Sequence, residues 1–242
     1  MGPPECAPYR VVMGTIIIPS RFEGPSGSAQ GGWTARHLAA HLDGSHTYAF
    51  RSHIPLDTAL TVDRERSALI GPAGELVIEA SPWTPDIVET PPVSLDDATE
   101  ARTRFSRFLN PNPVPDCFSC GSRPDSMGVH ASPLDDGRFA TDWTVPDWAE
   151  DPLSASAALW AALDCTAAFY VCFSTEHRPA FTVQYAVAEH RPVRAGETLA
   201  IVGWSGDHVP TWDGRKRGAA SVAFDASGTR VAAARSFWVA AP

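Results

Sequence analysis

Asp164 is the only charged residue between Asp151 and Glu176, in a segment, Leu153 to Phe173, that reads as a helix apolar on every face. At helical spacing its neighbours are Ala157, Trp160, Ala161, Ala167 and Ala168. A carboxylate in such surroundings costs several kcal/mol unless something pairs with it. Burial also raises its pKa, which suits a general base or a nucleophile. Four further groups carry possible chemistry. Cys117 and Cys120 form a single CxxC, and His130 is the nearest third ligand. A lone CxxC supplies two of the four ligands zinc normally takes, so no metal set is assigned. Cys165 and Cys172 stand two helical turns apart and read as packing. His37 and His41, four apart on a helix, have no acidic third ligand nearby and read as a surface or interface face. Arg215, Lys216 and Arg217 are the only basic triplet and suit the phosphates of coenzyme A or a phosphopantetheine arm.

The elements that would position these groups follow from pattern. Pro152 with Ser154 or Ser156 starts the Asp164 helix. Gln30-Gly31-Gly32 opens an earlier helix that runs to Asp43-Gly44. A strand is expected over Arg10–Pro19. Four more follow the first helix (His46–His53, Thr58–Arg64, Ser67–Ile70, Glu75–Pro82). Gly128–Ser132 and Arg138–Val145 form a hairpin ahead of the Asp164 helix. Ala180–Ala188, Glu197–Trp204, Gly218–Phe224 and Thr229–Ala240 come after it. The proline-rich stretch between the two runs holds a short acidic helix near Asp96-Asp97.

The halves repeat each other. His53-Ile54-Pro55 matches His190-Arg191-Pro192, and Gly74, Val77 and Ala80 match Gly228, Val231 and Ala234 at one constant offset. The expected boundaries are 1–95 for the first unit, 96–125 for a linker carrying the CxxC loop, and 126–242 for the second unit. The class is α+β, two layers around a shared core.

Composition narrows the partners. A net charge of −9 over 242 residues argues against nucleic acid. No apolar run is expected to reach the ~20 residues of a membrane span. Met1 to Arg10 lacks the pattern of a signal peptide, and Ala7 weakens a myristoylation reading at Gly2. Five cysteines without a repeating framework suit reduced thiols, so a cytoplasmic setting is expected.

Taken in order, these segments resemble the double-hotdog thioesterases, including the type II acyl-CoA thioesterases. Ala162-Leu163-Asp164 followed by Cys165-Thr166 is similar to the helix segment in which that family carries its catalytic aspartate. Gln30-Gly31-Gly32 resembles the family's Gly-Gly helix start, and Gly214-Arg215 through Asp225, Gly228 and Val231-Ala232 its closing hairpin. Pro115 to Gly121 and Trp160 to Cys165 resemble an actinobacterial branch of the same superfamily. The resemblance implies a double hotdog of two curved antiparallel sheets, each wrapped around a long helix. It implies hydrolysis of an acyl-CoA or acyl-carrier thioester, with no cofactor and with pairing into a homo-dimer or higher. Asp164 would be base or nucleophile, and Gly31 and Gly32 an oxyanion hole. Ser205 falls where the family has a hydroxyl. Arg235 or Ser236 falls where it has a glutamine, which leaves that place unfilled. Gln30, Trp160, Thr166, Arg215 and Lys216 would bind substrate. Dehydration or hydration of an acyl chain is less supported, since Asp151 to Ser156 lacks the histidine of the hydratase segment. A non-catalytic acyl-binding role is the remaining alternative.

Overall fold

A computed structural model describes residues 13–25, 27–87, 89–108, 112–208 and 211–241. Arg10 to Val12, Gly2 and Cys6 lie outside them. The first run of elements is β1 (Met13–Ile17), α1 (Gly31–Ala39), β2 (His46–Phe50), β3 (Ala59–Asp63), β4 (Ala68–Ile70) and β5 (Leu76–Pro82). Two short helices follow, α2 (Leu95–Thr103) and α3 (Phe105–Phe108). The second run is β6 (Ser132–Pro133), β7 (Phe139–Thr144), α4 (Pro152–Phe173), β8 (Ala180–Glu189), β9 (Thr198–Trp204), β10 (Lys216–Phe224) and β11 (Arg230–Ala240).

Among the described residues, eleven strands form one antiparallel sheet, ordered β1-β3-β4-β5-β2-β8-β11-β10-β9-β7-β6. The expectation of two separate sheets is corrected. β2 and β8 would each be an open edge, and open edges pair. They join through Thr47↔Ala186, Tyr48↔Tyr185 and Ala49↔Gln184. Read from each outer side toward this joint, β1-β3-β4-β5-β2 and β7-β9-β10-β11-β8 follow the same order of succession, with β6 added at the rim. The two helices are unequal, 9 residues for α1 against 22 for α4.

α4 begins at neither expected serine. Asp151 is its N-cap, and its Oδ1 accepts from the Leu153 and Ser154 amides at 3.0 Å. Pro152 follows as the first helical residue, where its missing N–H costs nothing. By length and composition α4 could cross a membrane, contrary to the expectation from sequence, but most of it is buried inside the fold. Small residues let backbone approach it. A Cβ on Gly32 of α1 would sit 2.6 Å from Trp160 O, and one on Gly203 of β9 2.9 Å from Thr166 O. The main core fills the space between the sheet and these two helices. α2, capped by Ser94 Oγ accepting from Asp97 N at 3.1 Å, buries Ala98 and Ala101 in a second, smaller core with Ala140, Val202 and Val222.

Candidate active site

Three side chains hold the backbone of α4 in the turn before Asp164. Tyr185 on β8 donates to Trp160 O at 2.7 Å, Ser119 to Ala161 O at 3.2 Å, and Ser221 on β10 to Leu163 O at 2.9 Å. Asp164 is thereby fixed, and the residue as a whole is only 5% exposed. Gln30 Nε2 donates to Oδ2 at 2.6 Å, and Thr182 Oγ1 donates to Oδ1 at 2.9 Å. The Gly32 amide also points at the carboxylate. Burial pushes the Asp164 carboxyl up to about 7, while the Thr182, Gln30 and Gly32 hydrogen bonds pull the other way.

Gln30 does two things at once. Its Oε1 caps α1 by accepting from Trp33 N at 2.7 Å, and its amide NH₂ reaches Asp164. One residue thus ties the start of α1 to an acid of α4.

Thr182 reaches Asp164 because β8 is irregular. Tyr185 faces α4, so strict alternation would turn Thr182 to the outer face. The β8–β11 register shifts between Phe237↔Gln184 and Trp238↔Thr182, which leaves Val183 extra. That bulge re-aims Thr182 inward and leaves Phe181 49% exposed. The β2–β8 pairing ends at Ala49↔Gln184, so among the described residues Ala180, Phe181 and Thr182 pair with β11 alone. Asp164 therefore lies under the unpaired margin of the sheet, behind the half-buried Thr182.

The structure thus gathers Gln30, Gly32 and Asp164. Gly31 stands at the first position of α1, where a Cβ would come 3.1 Å from the Phe50 ring. The other predicted residues go elsewhere. Ser205 lies in the turn after β9, and the hydroxyl on the acid is that of Thr182. The glutamine in contact with the acid is Gln30, and Arg235 pairs with Asp86. Trp160 turns its indole N–H to Glu189, donating at 2.7 Å. Thr166 bonds back to Ala162 O at 2.9 Å. The basic triplet is divided by strand alternation. Arg215 donates to Ala240 O and Lys216 is exposed. Arg217 is buried against the end of α4, donating to Val171 O and Ser174 Oγ at 2.6 Å. It satisfies one of the carbonyls that a helix end leaves open.

The cysteines also depart from expectation. Cys165 joins Cys117 and Cys120, with the three sulfurs within 4.8 Å of one another and all three residues buried. His130 does not take part; it hydrogen-bonds Gly121 O and stacks on Phe105. The Cys120 and Cys165 thiols and the Ser119 and Cys120 amides all point at the Cys117 sulfur and hold its pKa well below the usual thiol range, against burial. Gln30 Nε2 lies 4.0 Å from Cys165 Sγ, so the cluster adjoins the acid.

No family model matches the sequence, and no curated protein matches it. Solved structures do. A candidate thioesterase II of Thermobifida fusca superposes with a TM-score of 0.60 at 13% identity, over 95% of this chain and 92% of that one. A hot-dog-fold protein of unknown function from Alicyclobacillus acidocaldarius gives 0.58 at 15%, over 95% and 92%. A tesB protein of Mycobacterium avium subsp. paratuberculosis gives 0.56 at 13%, over 95% and 93%. The chain has the hotdog fold. It is an α+β protein with one large antiparallel sheet and a buried helix, α4.

Proposed function

We propose that the chain is a double hotdog, with units 1–95 and 126–242, that hydrolyses an acyl-CoA or acyl-carrier thioester. The observation that carries this reading is the arrangement of Asp164 between an amide and a hydroxyl, Gln30 and Thr182, beneath the open margin of β8. It is the acid, hydroxyl and glutamine set that the resemblance to type II thioesterases implied, assembled from other positions.

In this reading a water bound among these groups loses its proton to Asp164 as its oxygen attacks the thioester carbon. The carbonyl becomes an oxyanion, to which the Gly31 amide at the start of α1 is assigned as donor. Collapse expels the thiolate, which takes up a proton, leaving a carboxylic acid and a free thiol. Gln30 and Thr182 hold the acid in one orientation throughout, which limits the reorganisation needed for attack.

The test is thiol release from acyl-CoAs of graded chain length, followed with a thiol reagent. The native chain should turn over at least one of them. Asp164→Asn should lose about 10²- to 10⁴-fold, the usual share of a general base. Turnover by Asp164→Asn equal to that of the native chain would remove the acid from the mechanism. Binding of acyl-CoA without release at any length would favour the non-catalytic reading.

A further inference from the structure

Three cysteines from two separate segments converge where packing alone would be served by alanine. Cys117 and Cys120 sit on a tight turn, and Cys165 projects from α4. The turn is built to a fixed shape. Cys117 O accepts from Gly121 N at 2.7 Å, and Asn112 Nδ2 donates to Cys120 O at 2.6 Å. Val129 N donates to Ser119 O, and Ser119 Oγ fastens the turn to Ala161 O of α4. At Gly121 a Cβ would sit 2.3 Å from Cys117 O, so only glycine closes the turn.

We infer that Cys117, Cys120 and Cys165 form a binding site for a single zinc-class divalent cation, with three thiolate ligands and a fourth position filled from outside this set. Thiolates select borderline and soft cations over magnesium or calcium. Sulfurs about 2.3 Å from a tetrahedral zinc lie roughly 3.8 Å from one another, inside the separation found here. Binding forms three metal–sulfur bonds, and each cysteine still in its thiol form gives up its S–H proton to solvent. The cation would link the 117–120 turn to α4 at the residue directly after Asp164. The inference does not depend on the proposed hydrolysis, and its test reads metal, not turnover.

The test begins with the full chain, reduced, stripped with a chelator and titrated with zinc alone. One equivalent should bind, slow the modification of three thiols by a thiol reagent, and be released again by the chelator. Cobalt in place of zinc should give thiolate-to-metal charge-transfer absorption with the intensity of three sulfurs and the visible bands of a tetrahedral site. Cys117→Ser and Cys165→Ser should lose the bound ion, and Cys172→Ser, a buried cysteine outside the cluster, should keep it. If the ligand variants fail to fold, the cobalt spectrum of the native chain decides. An intensity equal to two sulfurs removes Cys165 from the site, and thiols equally reactive with and without zinc overturn the inference altogether.

Discussion

Thr182 separates a positioning role from a packing role. Thr182→Val keeps the shape but removes the 2.9 Å hydrogen bond to Asp164. Because the threonine is only half-buried, stability should fall by about 1 kcal/mol or less. Hydrolysis, if Asp164 must be held to act, should fall by about 10²-fold, the scale associated with misplaced catalytic groups. Thr182→Ser should restore most of the rate. Equal rates for valine and threonine at unchanged stability would place the hydroxyl outside the mechanism. Legibility differed sharply among these residues. Asp164 stood out because charge inside an all-apolar helix is costly. Gln30 left a fainter sign, since glutamine is not among the favoured helix caps and its use there points to a second task. Thr182 left none. A threonine in a strand is ordinary, and the bulge at Val183 that turns it inward is set by pairing with β11.

The crossing of α1 over α4 decides whether Gln30 can reach its partner. Gly32→Ala would put a methyl group 2.6 Å from Trp160 O, where backbone cannot yield locally. α1 should move outward at a cost of roughly 1–3 kcal/mol, visible in urea unfolding, and activity should fall with the Gln30 contact. The acidic α2 helix was legible from its composition, but its seat on the outer face of the sheet was not, because Ala98 and Ala101 are too small to mark a face. α1 also carries a pH dependence. Burial is the largest cause lowering His37 to about 4, Arg36 and His41 add to it, and Asp151 opposes. A cation in the last turn of a helix gains only about 0.3–1 kcal/mol from the dipole, so burial prevails. The folded chain keeps this histidine neutral below the unfolded value of 6.5, where the unfolded chain takes up a proton. The contribution to stability is therefore full above pH 6.5 and is lost as the pH falls to 4, up to roughly 3 kcal/mol. Replacing His37 with Gln should flatten unfolding free energy over that window. A profile identical to that of the native chain would assign the loss to other groups.

Across the whole molecule, turn and core positions recur at matching places in the sequence. Gly74 and Gly228 both adopt positive φ, 83° and 78°, in hairpin turns, and Val77 and Val231 are both fully buried beyond them. The joining of all strands into one sheet was not readable, since an edge shows no local sign of the strand that will cover it. That joint has a consequence for unfolding. β2 and β8 share only three residue pairs, yet Tyr48 and Tyr185 at their centre are almost wholly buried, as are Trp33 and Leu38 of α1. Burying a large side chain contributes about 1.5–3 kcal/mol, so uncovering these four alone costs on the order of 10 kcal/mol. That is comparable with the whole stability of a typical domain, 5–15 kcal/mol. Separating the halves would also strip Asp164 of Gln30 and leave a desolvated acid with one fewer partner. The two halves should accordingly unfold together. Far-ultraviolet circular dichroism and tryptophan fluorescence should give coincident transitions, and the calorimetric enthalpy should equal the van't Hoff enthalpy. Two resolved transitions would mean that the joint contributes far less than its buried side chains imply, and that the acid and its glutamine are held by separable bodies.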